Sequence, residues 1–148
     1  MARGFIQGHF KPTNPDKYKG IITNIVFRSS WELSFCRFLD SNPNILEWAS
    51  EEIVIPYIKP TDGKVHRYFP DFWIKYKDKN GHIIQNMIEV KPAAQTKPPS
   101  SKGKRKKQQL YETITYAINI AKWKAATEFC NKYGMKFRIV TEMELFRN

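Results

Sequence analysis

Apolar residues change their period along this chain, and each change marks an element. From Tyr68 to Pro92 they alternate, as Tyr-Phe-Pro-Asp-Phe-Trp-Ile at one end and Ile-Ile-Gln-Asn-Met-Ile-Glu-Val-Lys-Pro at the other. A period of two is the pattern of strands. Between the two halves Asp78-Lys79-Asn80-Gly81 carries Asn-Gly, a strong hairpin signal. The pattern predicts an antiparallel hairpin with strands near 69–77 and 82–91. Upstream, Trp31, Phe35, Phe38 and Leu39 recur at helical spacing. They predict a helix over 28–40 with that stripe on the core, closed by Asn42-Pro43. Ile53, Val54 and Ile55 form a continuous apolar run bounded by Pro56 and are expected as a strand. Leu110, Ile114, Ala117, Ala121, Ala125 and Phe129 repeat at threes and fours over 108–133. That segment reads as one helix, or as two with a break around 118–121, stopped by Gly134. Residues 136–141 alternate again with Phe137 and Ile139 inward, and Thr141-Glu142-Met143-Glu144 is a capping box opening a short terminal helix.

Composition fits one domain: 148 residues, 41% apolar and 14% aromatic, are ample for a single core. Charge narrows the partners. There are 25 Lys and Arg against 14 Asp and Glu, a net +11, which favours a polyanion over an inert basic surface. No apolar run approaches the roughly 20 residues of a membrane span, and the N-terminus lacks the apolar core of a signal peptide. No membrane partner is expected, and the chain reads as cytosolic and not secreted. Cys36 and Cys130 are too few and too scattered for a disulfide framework or a zinc site, and are expected as buried thiols.

Two segments concentrate the positive charge. Residues 1–20 read as a basic N-terminal arm, with Arg3, Lys11, Lys17 and Lys19 against Asp16. The arm either lies over the domain of residues 21–148 or reaches for a partner. Residues 93–107 read as a flexible loop whose Pro, Ser and Gly carry six basic residues, Lys97, Lys102, Lys104, Arg105, Lys106 and Lys107, and no acid. Such a loop either lies along a phosphate backbone or is simply solvated. Lys122 and Lys124 on the long helix face DNA or the site, or are ordinary exposed lysines.

The candidate chemistry lies on the hairpin. Alternation puts Glu89 and Lys91 on one face and Ile88 and Val90 on the other. Folding the hairpin back brings Asp71 beside that pair. Two close carboxylates repel unless a cation lies between them, and oxygen donors of this kind suit magnesium, with manganese as a substitute. Lys91 would then steady a water or the charge building on a phosphate. The plainer alternatives are an Asp71 that caps a turn and a Glu89–Lys91 ion pair. Burying Asp71 on an aromatic strand without a partner is costly, which favours the metal site.

Pro70-Asp71 followed by Glu89-Val90-Lys91 resembles the Pro-Asp…(Asp/Glu)-x-Lys motif of the restriction-endonuclease-like, or PD-(D/E)XK, nuclease superfamily. The resemblance implies an α/β fold with a mixed central β-sheet flanked by helices. It implies metal ligation by Asp71 and Glu89, a contribution from the Val90 carbonyl, and assistance to the attacking water by Lys91. Phe27-Arg28-Ser29-Ser30-Trp31-Glu32 looks like the helix entry of the subfamily that contains the end-cleaving transposase subunit. By that likeness Glu32 joins the acidic cluster, while locally Ser29-x-x-Glu32 is also a capping box. Arg28 meets a DNA phosphate or a nearby acid, and Glu52 leans toward the metal or stays solvated. The opening Met-Ala-Arg-Gly-Phe-Ile-Gln-Gly and the size resemble the head completion nucleases of large tailed phages. This likeness implies processing of packaged DNA with little sequence preference before head and tail join. It also implies portal or neck proteins as partners, and a place in the infected host's cytoplasm or in the virion. The alternative is a non-catalytic DNA-binding plug with a vestigial nuclease face.

Overall fold

The computed structural model describes residues 7–145. In chain order its elements are β1 (Gly8–His9), β2 (Val26–Phe27), α1 (Ser30–Ser41), β3 (Ile45–Ser50), β4 (Ile55–Ile58), β5 (Val65–Tyr68), β6 (Phe72–Lys77), β7 (Ile83–Val90), α2 (Lys106–Lys132), β8 (Lys136–Val140) and α3 (Glu142–Leu145).

The predicted hairpin is β6–β7, paired from Phe72↔Ile88 to Lys77↔Ile83. Its turn is built by local chemistry. The Asp78 carboxylate accepts from the Asn80 and His82 amides at 2.9 and 2.8 Å, and Gly81 takes φ 83°, where a Cβ is unfavourable. β3 pairs antiparallel with β6, and β8 pairs parallel with β7, giving the mixed sheet order β3-β6-β7-β8.

The two faces of this sheet carry separate cores. Phe72, Ile74, Ile88, Val90 and Val140 face α1, whose Trp31, Phe35, Cys36 and Leu39 complete one cluster with Trp48 of β3. Met87, with Trp73, Phe137 and Ile139 packed against it, faces α2 through Trp123, Ala126 and Cys130, joined by Ile55, Tyr57 and Tyr68 of the small β4–β5 sheet. Burying each of these large side chains contributes about 1.5–3 kcal/mol. Both thiols are free and buried, as expected.

Several expectations need correction. Phe38 is 48% exposed, because α1 turns only one narrow stripe to the sheet. The strand expected at Ile53-Val54-Ile55 begins only at Ile55; Val54 is 41% exposed, and Glu51 before it turns the chain with φ 53°. Pro56 lies inside β4, which tolerates it because β4 pairs on one side only. The strand β3 carries no alternation that would have announced it. The long helix α2 is unbroken, but its buried residues are Asn119, Trp123, Ala126 and Cys130, flanking the expected stripe. Leu110 is 62% exposed, because the first turns of α2 run past the sheet. Ala117, Ala121 and Ala125 gave the expected stripe little bulk, and the bulk of Trp123 decided the buried face.

Residues 7–20 lie over the domain. β1 pairs with β2, and the Asp40 carboxylate accepts from the Thr13 and Asn14 amides at 2.8 and 3.0 Å. Lys17 donates to the Asp40 and Asn42 carbonyls instead of standing free for phosphate. Tyr18 packs edge-on against Trp48 at 4.8 Å, accepts from the Ser50 amide and donates to Glu52 at 2.7 Å. Arg3 lies outside the described residues.

Candidate active site

The ladder between β6 and β7 ends at Phe72↔Ile88. Carried one position further, the same register sets Asp71 opposite Glu89. Pro70, which has no N–H to give a ladder, is fully buried just before it. Asp71 therefore leaves the strand with its side chain free to turn inward, and its Oδ2 accepts from the Val90 amide at 2.7 Å. The Asp71 carbonyl accepts from the Glu51 amide at 3.1 Å, which holds the bend from the β3 side.

Alternation along β7 sends Ile88 and Val90 into the α1 core, and Glu89 and Lys91 to the α2 side. Glu89 is 7% exposed. Its Oε1 accepts from the Tyr68 hydroxyl at 2.8 Å, and its Oε2 lies 3.7 Å from the Lys91 ammonium. Asp71, Glu89 and Lys91 thus meet at one end of the sheet, as the hairpin predicts. Tyr68 was not foreseen. It sits 21 residues from Glu89 on a different sheet, and no spacing along the chain signals that contact.

Burial pushes the Asp71 carboxyl well above the ordinary carboxylate range, and Glu89 and then Glu32 add to the rise; the Val90 amide and Lys91 oppose it. Burial likewise raises Glu89, against the pull of Lys91, Tyr68 and Lys122. Burial and the Glu89 charge keep the Tyr68 proton in place, so this hydroxyl is the donor.

Glu32 approaches from the opposite layer, at the start of α1, and is 3% exposed. Its amide donates to the Ser29 hydroxyl at 3.2 Å, and its Oε1 accepts from the Arg28 amide at 3.2 Å. The cap is formed, with the Glu side chain reaching one residue further back than in the usual box. Its charge is felt at Asp71. Even so, no three His, Cys, Asp or Glu side chains among the described residues are gathered tightly enough to hold a metal ion. The pair that the structure brings together is Asp71 and Glu89.

Other candidates lie apart. Arg28 meets an acid: the Glu51 carboxylate accepts from its Nε and Nη2, each at 3.1 Å. Glu52 turns away from the site toward Tyr18 and the Ile21 amide. Among the basic residues, Lys97, Lys102, Arg105, Lys106 and Lys107 are exposed. The stretch is less loop-like than its composition predicts. Residues Ala93–Thr96 form a 3-10 turn, Lys106 and Lys107 already belong to α2, and Lys104 pairs with Glu112. Lys122 of α2 turns toward the site, over the Tyr57 and Tyr68 rings at 5.8 and 5.6 Å.

The family model described as TnsA-like endonuclease N terminal matches residues 42–142. The chain belongs to this family. The matched span contains Asp71, Glu89, Lys91, Tyr68 and Lys122, while α1 with Arg28 and Glu32 precedes it. The head completion nuclease of Enterobacteria phage T4 is 42% identical over 139 residues, covering 91% of this chain and 90% of that protein. No solved structure matches the chain. In this member of the TnsA-like family the α/β fold is the restriction-endonuclease-like one expected, a mixed central sheet flanked by helices.

Proposed function

We propose that the chain is a divalent-metal-dependent DNA nuclease acting at phage head completion, the stage for which its phage T4 relative is named. The reading rests on one observation above others. Two carboxylates, the buried Glu89 and the half-buried Asp71, converge at the sheet end beside the Lys91 ammonium. The donors are all oxygen, from Asp71 and Glu89 with the Val90 carbonyl as a further ligand, and Glu32 would complete the set by moving closer than it stands in this structure; such a set fits magnesium or manganese. Burial raises both carboxyls, and the two carboxylates together carry more charge than the Lys91 ammonium offsets. A bound divalent cation supplies a polarised phosphate and a more acidic water at this point.

The chain's own groups do the rest. The Val90 amide aims Asp71, and the Tyr68 hydroxyl orients Glu89. Lys91 orients the attacking water or balances the charge that develops on the phosphate. Exposed Lys97, Lys102, Arg105, Lys106 and Lys107 lie along the DNA backbone, which carries charge but no sequence, so cleavage has little sequence preference. Arg28 and Lys104 reach phosphates only by releasing Glu51 and Glu112. Portal or neck proteins are its partners in the infected host's cytoplasm, or in the virion. Among the described residues no helix is long and apolar enough to cross a membrane.

Incubating the purified chain with plasmid and magnesium tests the reading, against Asp71→Ala, Glu89→Ala and EDTA controls. We expect cleavage that each control abolishes. A wild type that binds plasmid without cutting it, or variants that cut as well, would make this a DNA-binding plug instead.

A further inference from the structure

Lys122 is held in a way that a solvent-facing lysine is not. It projects from the part of α2 that packs on the domain, between the buried positions Asn119 and Trp123. Its ammonium lies 5.8 Å from the centre of the Tyr57 ring and 5.6 Å from that of Tyr68. Both rings are buried, at 7% and 3% exposed, so the platform beneath the ammonium is rigid. Tyr68 is also the residue whose hydroxyl holds Glu89. The platform therefore fixes Lys122 at a set point beside the acidic pair.

What Lys122 lacks is an acceptor. An ammonium carries three donors. Among the described residues Lys122 makes neither a hydrogen bond nor an ion pair, and both Glu89 carboxylate oxygens already face other groups, Tyr68 and Lys91. Aromatic faces stabilise a cation but accept none of its protons strongly. Burial destabilises its charged form, and Glu89 only partly restores it. A cation so placed is completed by an anion arriving from outside. At the mouth of a nuclease site that anion is a phosphodiester.

We propose that Lys122 is a phosphate-contacting residue, one that the Tyr57–Tyr68 platform presents to the DNA strand as it passes Asp71 and Glu89. The inference rests on the nuclease reading for the path of the strand, but its binding test does not need cleavage.

The test is the binding of a fluorescent duplex of arbitrary sequence to the full chain in EDTA, followed from about 50 to 300 mM salt. Lys122→Met keeps the stem over the rings and removes the charge. Relative to wild type it should bind about fivefold more weakly, with a salt slope smaller by about 0.9, the value of one neutralised duplex phosphate. Lys122→Arg should retain the slope, and exposed Lys124→Met should leave it unchanged. In magnesium, Lys122→Met should raise KM more than it lowers kcat. Thermal melts check the fold, and Lys122→Gln replaces the Met variant if that one melts early. A wild-type slope in a folded charge-free variant overturns the proposal, as does equal weakening by Lys122→Arg, or a wild type that does not bind. Loss of cleavage in wild type with the Lys122→Met slope still reduced would remove the nuclease reading and leave the phosphate-binding role standing. A normal slope with cleavage intact would do the reverse.

Discussion

The Val90 amide donates to the Asp71 carboxylate at 2.7 Å, one position beyond the last ladder pair of the hairpin. That bond couples the Pro-Asp turn to the very strand that carries Glu89 and Lys91. It makes the site sensitive to register, since a slip of one residue would send Glu89 into the α1 core and Val90 toward α2.

Asp71→Asn keeps an acceptor for Val90 and removes the charge. Cleavage should fall at least about 100-fold, the upper end of what loss of a supporting group costs a metal site. Stability should move the other way. The folded Asp71 carboxyl titrates above its unfolded value near 3.9, so the folded state binds the extra proton in that window. Wild-type stability therefore falls as pH rises from about 4 through the raised value. In EDTA at neutral pH the variant should melt higher by roughly 3 °C, with the gap closing near pH 4. Melting curves taken across pH decide this, and a gap independent of pH would contradict it.

Glu32 caps α1, and different substitutions separate that role from the one proposed for it at the metal site. Ser29→Ala removes a cap acceptor and should cost about 1 kcal/mol while cleavage persists. Glu32→Gln keeps an acceptor for the Arg28 amide, so stability should hold within about 1 kcal/mol. Cleavage should drop about tenfold, the scale of a supporting group at a metal site. Cleavage at the wild-type rate would confine Glu32 to capping.

Neutralising Lys102, Arg105, Lys106 and Lys107 together should lower the salt slope of DNA binding, by up to about 0.9 for each phosphate that no longer meets a cation. Lys104→Ala by itself should change the slope less, because Glu112 already holds that ammonium. Its effect on stability should stay below about 1 kcal/mol, as for other partly exposed pairs. Titrations at several salt concentrations compare the two, and an equal decrease from Lys104→Ala would argue against this ordering.

The clamp on residues 7–20 can be opened at Gly20. Its φ is 153°, and a Cβ built there would lie 2.3 Å from the Glu52 Oε2 that Tyr18 also binds. Gly20→Ala should destabilise the fold by about 1–3 kcal/mol, read from urea midpoints. Tyr18→Phe leaves the buried Ser50 amide without its acceptor and should cost about as much. Unchanged midpoints in both would mean that this segment adds little to the core.

The hairpin, the motif on it and the helix cap at Ser29 were legible because each is local: a period of two, an Asn-Gly turn, a residue three positions from its cap. The faces of α2 and the strand β3 were not. The expected stripe of α2 is half alanine and carries little bulk, so packing against the sheet chose Trp123 over Leu110. β3 has no pattern of its own and becomes a strand by pairing with β6.

The sequence by itself determined that Asp71 comes back beside Glu89 and Lys91, because strand alternation and a short turn are enough to bring them together. Only the tertiary structure decided what surrounds them. Tyr68 on Glu89, Lys122 above Tyr57 and Tyr68, Glu32 from the far layer, and Glu51 on Arg28 are all meetings between separate elements. Such meetings depend on how layers stack and on which partners burial leaves within reach, and periodicity along one strand or helix does not record either.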